Sequence, residues 1–315
     1  MTDTNAIARL DPAPPTRPGD VVDAHTHLFT RALMEEMLSK QPPDAMKRFR
    51  EALKTGKWGR PGREQTLPDM TPVECAAFYL ERIQAAGVSR ALVMSVMPDS
   101  QWMRDFIVAA NGHVQVLCNV DPRDPGAADL LEREMAAGFK GVKLYPVNRC
   151  FRISDPACRP FFEKAAELGA SMCIHYGVTV DPTGDLRYAD PLDLSPVARD
   201  FPEISFVIAH FGAGWLDSVL RLAYQCKNVC VDTSGTNNWM DYYVPRMTLA
   251  EVFERTLTAI GPERVLFGTD AGTTAPYRTW IKFQQFRTLE EMGLSDLDRD
   301  RILRANAVRI FGLEK

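Results

Sequence analysis

The stretch Val21-Val22-Asp23-Ala24-His25-Thr26-His27-Leu28-Phe29 decides how the rest of the chain is read. It has the apolar make-up of a short buried strand, and two histidines with one residue between them close it. Side chains on a regular strand point alternately to opposite faces, which predicts that Asp23, His25 and His27 share one face. Two imidazoles at one strand end make half of a metal site, because neutral imidazole is a common ligand for zinc and its neighbours. The pair reads equally as two hydrogen-bonded histidines in a buried strand, and this stretch alone leaves both readings open.

Outward from it, a polar insertion runs from Thr30 to about Thr71, with helices expected over Arg31–Lys40 and Asp44–Lys57. Its position directly after the histidine pair suits a lid, and equally a helical decoration. From Thr71-Pro72-Val73-Glu74, a cap followed by proline at the first helical position, the pattern becomes regular. Strands are expected at Arg90–Met97, Val114–Val120, Gly141–Tyr145, Ala170–His175, Ile204–His210, Val229–Thr233 and Arg264–Thr269. Helices fall between them, at 71–86, 101–111, 127–137, 156–168, 194–200, 215–225 and 249–260, and two more close the chain at 277–292 and 296–311. Eight short apolar strands alternating with helices imply parallel pairing with right-handed crossovers, and a (β/α)8 barrel holds eight such units. A doubly wound sheet would call for a Gly-rich first turn, and neither GxGxxG nor GxxxxGK[ST] occurs.

Composition narrows the class. The 315 residues are 45% hydrophobic, enough for one large core or two small ones, and 37 basic against 41 acidic residues leave a net charge of −4. That balance argues against a nucleic-acid or anionic-membrane surface. No apolar run approaches the roughly 20 residues of a membrane helix. Met1–Asp20 is polar and Pro-rich without signal-peptide character, so residues 1–20 are expected as a flexible leader and 21–315 as one barrel domain. Seven cysteines without a Cys-x-x-Cys pair point to a reduced, cytoplasmic enzyme, with Cys226 and Cys230 as buried thiols.

Polar residues then fall where a barrel places its chemistry, at the C-terminal ends of strands. His25 and His27 end the first strand, Lys143 and Tyr145 the fourth, His175 the fifth and His210 the sixth, while Asp270 follows the eighth. The chain has five histidines, and only His113 lies elsewhere, in a helix–strand turn. Independent core histidines would not choose strand ends so consistently.

Asp-x-His-x-His (23–27), Cys-Ile-His-Tyr-Gly (173–177), Ile-Ala-His-Phe-Gly (208–212) and Leu-Phe-Gly-Thr-Asp (266–270) together resemble the amidohydrolase superfamily. The branch they resemble includes lactone hydrolases and metal-dependent decarboxylases of aromatic and muconate-type acids. The closing segment Ile302–Leu313 is similar too, so the resemblance spans Val21 to Leu313. It implies that His25, His27, His175 and Asp270 hold a divalent metal, zinc first and manganese as the alternative. His210 is then an acid/base or carbonyl-polarising residue, and Asp270 doubles as general base. Zinc lowers the pKa of its water towards about 7, Asp270 moves the proton, and His210 steadies the oxyanion.

In some branches the lysine of the fourth strand is carboxylated and bridges two metals; as a free ammonium, the preferred reading, Lys143 suits capture of a substrate carboxylate. Tyr145 and Arg149 join it as candidate substrate-binding residues, and Arg60, Arg63, Arg152 and Arg187 are loop arginines of the same kind. Cys173, one layer below His175, reads as core. Asp23 and Asp232 read equally as residues that orient a histidine and as structural ones. The expected activity is hydrolysis of a small carboxylated ester, lactone or amide. Nonoxidative decarboxylation is the runner-up, followed by a metal-free lactonase and by a barrel that only binds ligand. The expected partners are a small-molecule substrate and a second copy in a homodimer or higher homo-oligomer, with neither nucleic acid nor membrane.

Overall fold

Alternation along the strands sorts the apolar side chains into two cores. On β2 (Arg90–Met94), Ala91 and Val93 join a large cluster beneath the helices, while Leu92 and Met94 join a smaller one inside a ring of strands. β6 (Phe206–Ile208) and β7 (Val229–Asp232) divide the same way, with Val207 and Cys230 inside. The computed structural model describes residues 21–39, 47, 51, 67–179, 181, 184–273 and 277–313. Its strands β1 (Val22–His27), β2, β3 (Val114–Asn119), β4 (Val142–Leu144), β5 (Met172–Ile174), β6, β7 and β8 (Val265–Leu266) pair in sequence order, all parallel. The ring closes where Ala24 N donates to Phe267 O (2.9 Å), Asp270 N to His25 O (2.8 Å) and His27 N to Ala271 O (2.7 Å). This is the (β/α)8 barrel.

The helices start where local chemistry says they should. Thr71 and Glu74 form a capping box at the start of α2 (Pro72–Ala85), and Thr248 and Glu251 do the same for α9 (Leu249–Ile260). α1 (Arg31–Ser39) opens the insertion and buries Leu33, Met34 and Leu38. The second insertion helix lies outside the described residues apart from Lys47 and Glu51, and so do the leader, Arg60 and Arg63. Between come α3 (Gln101–Ala110), α4 (Ala127–Ala136), the short α5 (Pro146–Arg149), α6 (Arg159–Glu167), α7 (Ser195–Asp200) and α8 (Leu216–Gln225). α10 (Thr279–Glu291), α11 (Asp296–Asp300) and α12 (Asn306–Phe311) end the chain, with a π-helical turn over Arg301–Ala305 where one continuous helix was expected. Ala307, Ile310, Phe311 and Leu313 pack against Val22, Leu92 and Leu266 and stopper the barrel interior. Arg90, at the start of β2, donates to the Leu313 carbonyl at 2.5 Å, which places this stopper at the end opposite the histidines. Cys226 and Cys230 are buried thiols. No helix among the described residues is long and apolar enough to cross a membrane.

One local expectation fails. Asp23 pairs with Ala91 and Thr26 with Val93, so Ala24 and His25 together stand opposite Leu92. This bulge carries one extra residue and reverses the alternation. His25 and His27 still face the interior, but Asp23 turns outward, where its carboxylate accepts from Thr269 N (3.0 Å), Thr269 Oγ1 (2.5 Å) and the Tyr277 hydroxyl.

Candidate metal centre

The barrel mouth assembles imidazoles and carboxylates from five strands. His25 Nδ1 donates to Asp232 Oδ2 at 2.8 Å, with both side chains buried, so the lone pair of His25 lies on Nε2. That Nε2 is buried, has no hydrogen-bond partner among the described residues, and lies 3.9 Å from Asp270 Oδ1. His27 Nε2 stands 3.0 Å from the same oxygen. His210 packs its ring 4.8 Å from that of His25. One ligand atom each from His25, His210 and Asp270 lie within 4.8 Å of one another. His175 touches His210 ring to ring at 5.2 Å, but its Nε2 donates to Val178 O at 3.1 Å, which leaves Nδ1 as its free lone pair. Of the expected quartet, the structure therefore gathers His25, His27 and Asp270, with His210 nearer to them than His175.

Backbone geometry fixes two of these groups. β6 stops at Ile208, earlier than its apolar sequence implied, and residues 210–214 all have positive φ: His210 57°, Phe211 53°, Gly212 80°, Ala213 39° and Gly214 99°. Left-handed backbone costs L-residues roughly 1–2 kcal/mol each, so the surroundings must hold it. Asp232 Oδ1 does so by accepting from His210 N at 3.0 Å, and burial of Phe211 against Phe253 adds to it. Asp232 Oδ1 also accepts from Ser234 N (3.0 Å) and from the Ser234 hydroxyl. With that single hydroxyl proton used, His210 Nδ1 donates to Ser234 Oγ (2.8 Å) and to Ser234 O (3.1 Å), and Nε2 carries its lone pair. Asp270 has φ 57° as well, and its Oδ2 pairs with Arg278 Nη1 at 2.9 Å.

The electrostatics follow from burial. Desolvation pushes His25 down to about 3 against the pull of Asp232, and burial also lowers His210 and, strongly, His175, so these imidazoles are neutral. Burial opposes ionisation of Asp270, but the His27 hydrogen bond outweighs it and holds its carboxyl well below the usual range. Asp232 is ionised for the same reason, through His25 and the amide of His210. Asp23, buried away from the centre, is pushed up to about 6 by desolvation.

The remaining candidates separate. Lys143 is fully buried on the floor of the mouth, its Nζ 3.3 Å from Cys173 Sγ and 5.1 Å from the Tyr145 ring centroid. Burial holds the Cys173 thiol up at about 12. The Tyr145 hydroxyl is buried without a hydrogen-bond partner among the described residues. Arg149 instead gives its guanidinium to Asn119 at the end of β3. Arg187 is tied to Asp185, and Arg152 stacks on Tyr188. Arg278 went unread in the sequence because it falls inside an expected helix; the helix in fact begins one residue later. Its place shortly after Asp270, in the segment between the last strand and its helix, was the available signal.

Three comparisons with solved structures carry the fold. An amidohydrolase from Burkholderia multivorans with bound zinc superimposes with a TM-score of 0.59 at 15% identity, covering 94% of this chain and all of that one (100%). A 5-carboxyvanillate decarboxylase from Novosphingobium aromaticivorans, complexed with manganese and 4-hydroxy-3-methoxy-5-nitrobenzoic acid, gives 0.65 at 16%, covering 95% and 97%. A Pseudomonas putida protein assigned provisionally as a 2-pyrone-4,6-dicarboxylic acid hydrolase gives 0.61 at 18%, covering 94% and 98%. No curated protein matches the sequence. The amidohydrolase family model matches residues 22–313, nearly the whole described chain. The chain belongs to the amidohydrolase family.

Proposed function

We propose that this chain is a metal-dependent hydrolase of a small carboxylated ester, lactone or amide. The observation that carries the reading is the buried Nε2 of His25, without a hydrogen-bond partner among the described residues, locked by Asp232 and facing the Asp270 carboxylate beside His27. Neutral nitrogens and one carboxylate oxygen suit zinc or manganese. His25, His27 and Asp270 would hold the ion, with His210 Nε2 the nearest further donor and His175 Nδ1 behind it. When bound, such an ion makes hydroxide available near neutral pH.

The residues divide the remaining work. Asp270, ionised and turned to the imidazoles through Oδ1, accepts the proton of the attacking water and returns it to the leaving group. His210 presents a lone pair, so it is better suited to accept than to donate. The donor to a developing oxyanion is then the Tyr145 hydroxyl, buried and without a partner among the described residues. This stock of proton acceptors favours hydrolysis over decarboxylation, which needs an acid to protonate carbon. The two reactions separate by product, since only decarboxylation releases carbon dioxide.

The test begins with zinc content and turnover of carboxylated lactones, esters and amides by the loaded enzyme. Asp270→Asn should lower kcat by about 10²–10⁴-fold. Undiminished turnover in that variant refutes the assignment.

A further inference from the structure

The cations around the centre are not equivalent. Lys143 is fully buried against Cys173, and Arg149 is held by Asn119. Arg278 is a third exposed (33%) while its Nη1 lies 2.9 Å from Asp270 Oδ2. A guanidinium has five N–H donors in one plane. Asp270 takes one of them, and no other hydrogen bond from the Arg278 side chain is made among the described residues. The segment carrying it is pinned from behind. Tyr277 donates its hydroxyl to Asp23, and Asp23 is itself fixed by the amides of His25 (3.2 Å) and Thr269 (3.0 Å). Asp270 thus joins two zones, Oδ1 turned to His25 and His27 and Oδ2 to a guanidinium that opens on solvent.

We propose that Arg278 is the group that recognises the substrate, through a carboxylate carried next to the reacting carbonyl. The open edge of the guanidinium binds both oxygens of that carboxylate while Nη1 stays on Asp270, so one planar cation lies between two carboxylates. That placement relieves the repulsion between substrate and Asp270 and sets the neighbouring carbonyl beside Oδ1. Lys143, sealed on the floor, has no such access. The inference rests on the hydrolase reading only in giving Asp270 the proton; the anion site itself does not need it.

Calorimetric binding of benzoate, phthalate and isophthalate, each against its neutral amide, tests it on zinc-loaded wild type, Arg278→Gln, Arg278→Lys and Lys143→Met. At least one acid should bind wild type about tenfold or more tightly than its amide, as charge-assisted pairing implies. Arg278→Gln should erase that ratio, Arg278→Lys should keep only part of it, and Lys143→Met should retain it. A wild type without acid preference, or a preference that survives in Arg278→Gln, overturns the proposal. Zinc content separates the two readings. A wild type that takes up no zinc but shows acid preference dependent on Arg278 sinks the metal reading and leaves the anion site standing. Should Arg278→Gln fail to fold, the ratio in Arg278→Lys decides, and a ratio equal to wild type counts against the proposal.

Discussion

Replacing Asp232 with asparagine alters the proton arrangement of the centre while keeping the shape of a buried side chain. Oδ1 receives three donors, the amides of His210 and Ser234 at 3.0 Å each and the Ser234 hydroxyl, whereas Oδ2 receives His25 Nδ1 at 2.8 Å and, more weakly, the Cys173 thiol at 3.8 Å. The carbonyl oxygen of asparagine therefore takes the Oδ1 place and its NH2 faces His25. Two donors cannot meet, so the imidazole moves its proton to Nε2, and the atom that faced Asp270 as a lone pair becomes a donor. Loss of such an orienting partner lowers metal affinity by about 10–100-fold, or roughly 1.4–2.7 kcal/mol. Metal-free stability should fall by about 1–3 kcal/mol as a charge-assisted bond is lost. Zinc competition against a chromophoric chelator reads the first effect, and two-bond 15N–1H correlations at His25 read the tautomer directly. Zinc affinity within twofold of wild type, with Nδ1 still protonated, would refute the reasoning.

Two further perturbations follow from packing and burial. A Cβ at Gly268 would sit 2.8 Å from Ser234 Cβ and 3.0 Å from His25 Cβ, so Gly268→Ala must displace Ser234 and presses on the histidine. It should cost about 1–3 kcal/mol in urea unfolding and weaken zinc binding, whereas Gly126→Ala, which meets nothing within 4 Å, should stay within about 0.5 kcal/mol. In metal-free protein, His25 has a folded pKa of about 3 and so refuses a proton that the unfolded chain takes up; its contribution is present above about 6.5 and lost as pH falls. Asp23, raised to about 6, works in the opposite sense: it stabilises below about 4 and that contribution disappears as pH rises through 6. Asp23→Asn should thus steepen the rise of stability between pH 4 and 6 by about 1.4 kcal/mol per unit; an unchanged slope in urea titrations would contradict the burial of that carboxyl.

Strand order, barrel closure and the histidines at the strand ends are written in local patterns, and these were legible. Apolar runs, caps and glycines act over a few residues, and the barrel follows from their repetition. Asp23 was misplaced because alternation is local while the bulge after it is set by pairing with β2 and with the chain beyond β8. The turn at His210 had a signal in Gly212 and Gly214, two residues that admit positive φ, but Ile-Ala-His read as extended strand. Helix periodicity hid Arg278, because its ion pair with Asp270 depends on where the chain folds back rather than on what surrounds it in sequence.

The stopper and the mouth also bear on the order in which the molecule is made. Leu313 closes one end of the barrel on β2, and at the other the Asp23–Thr269 bond joins positions 246 apart. Contacts so remote in sequence carry a large loop-closure cost and form late. During synthesis His25 and His27 leave the ribosome long before Asp270 and Arg278. The nascent barrel is open along its last seam and unstoppered below until residues 302–313 arrive. The candidate metal centre waits for Asp270 and the barrel floor for residues 302–313, so a chain interrupted before Asp270 has neither.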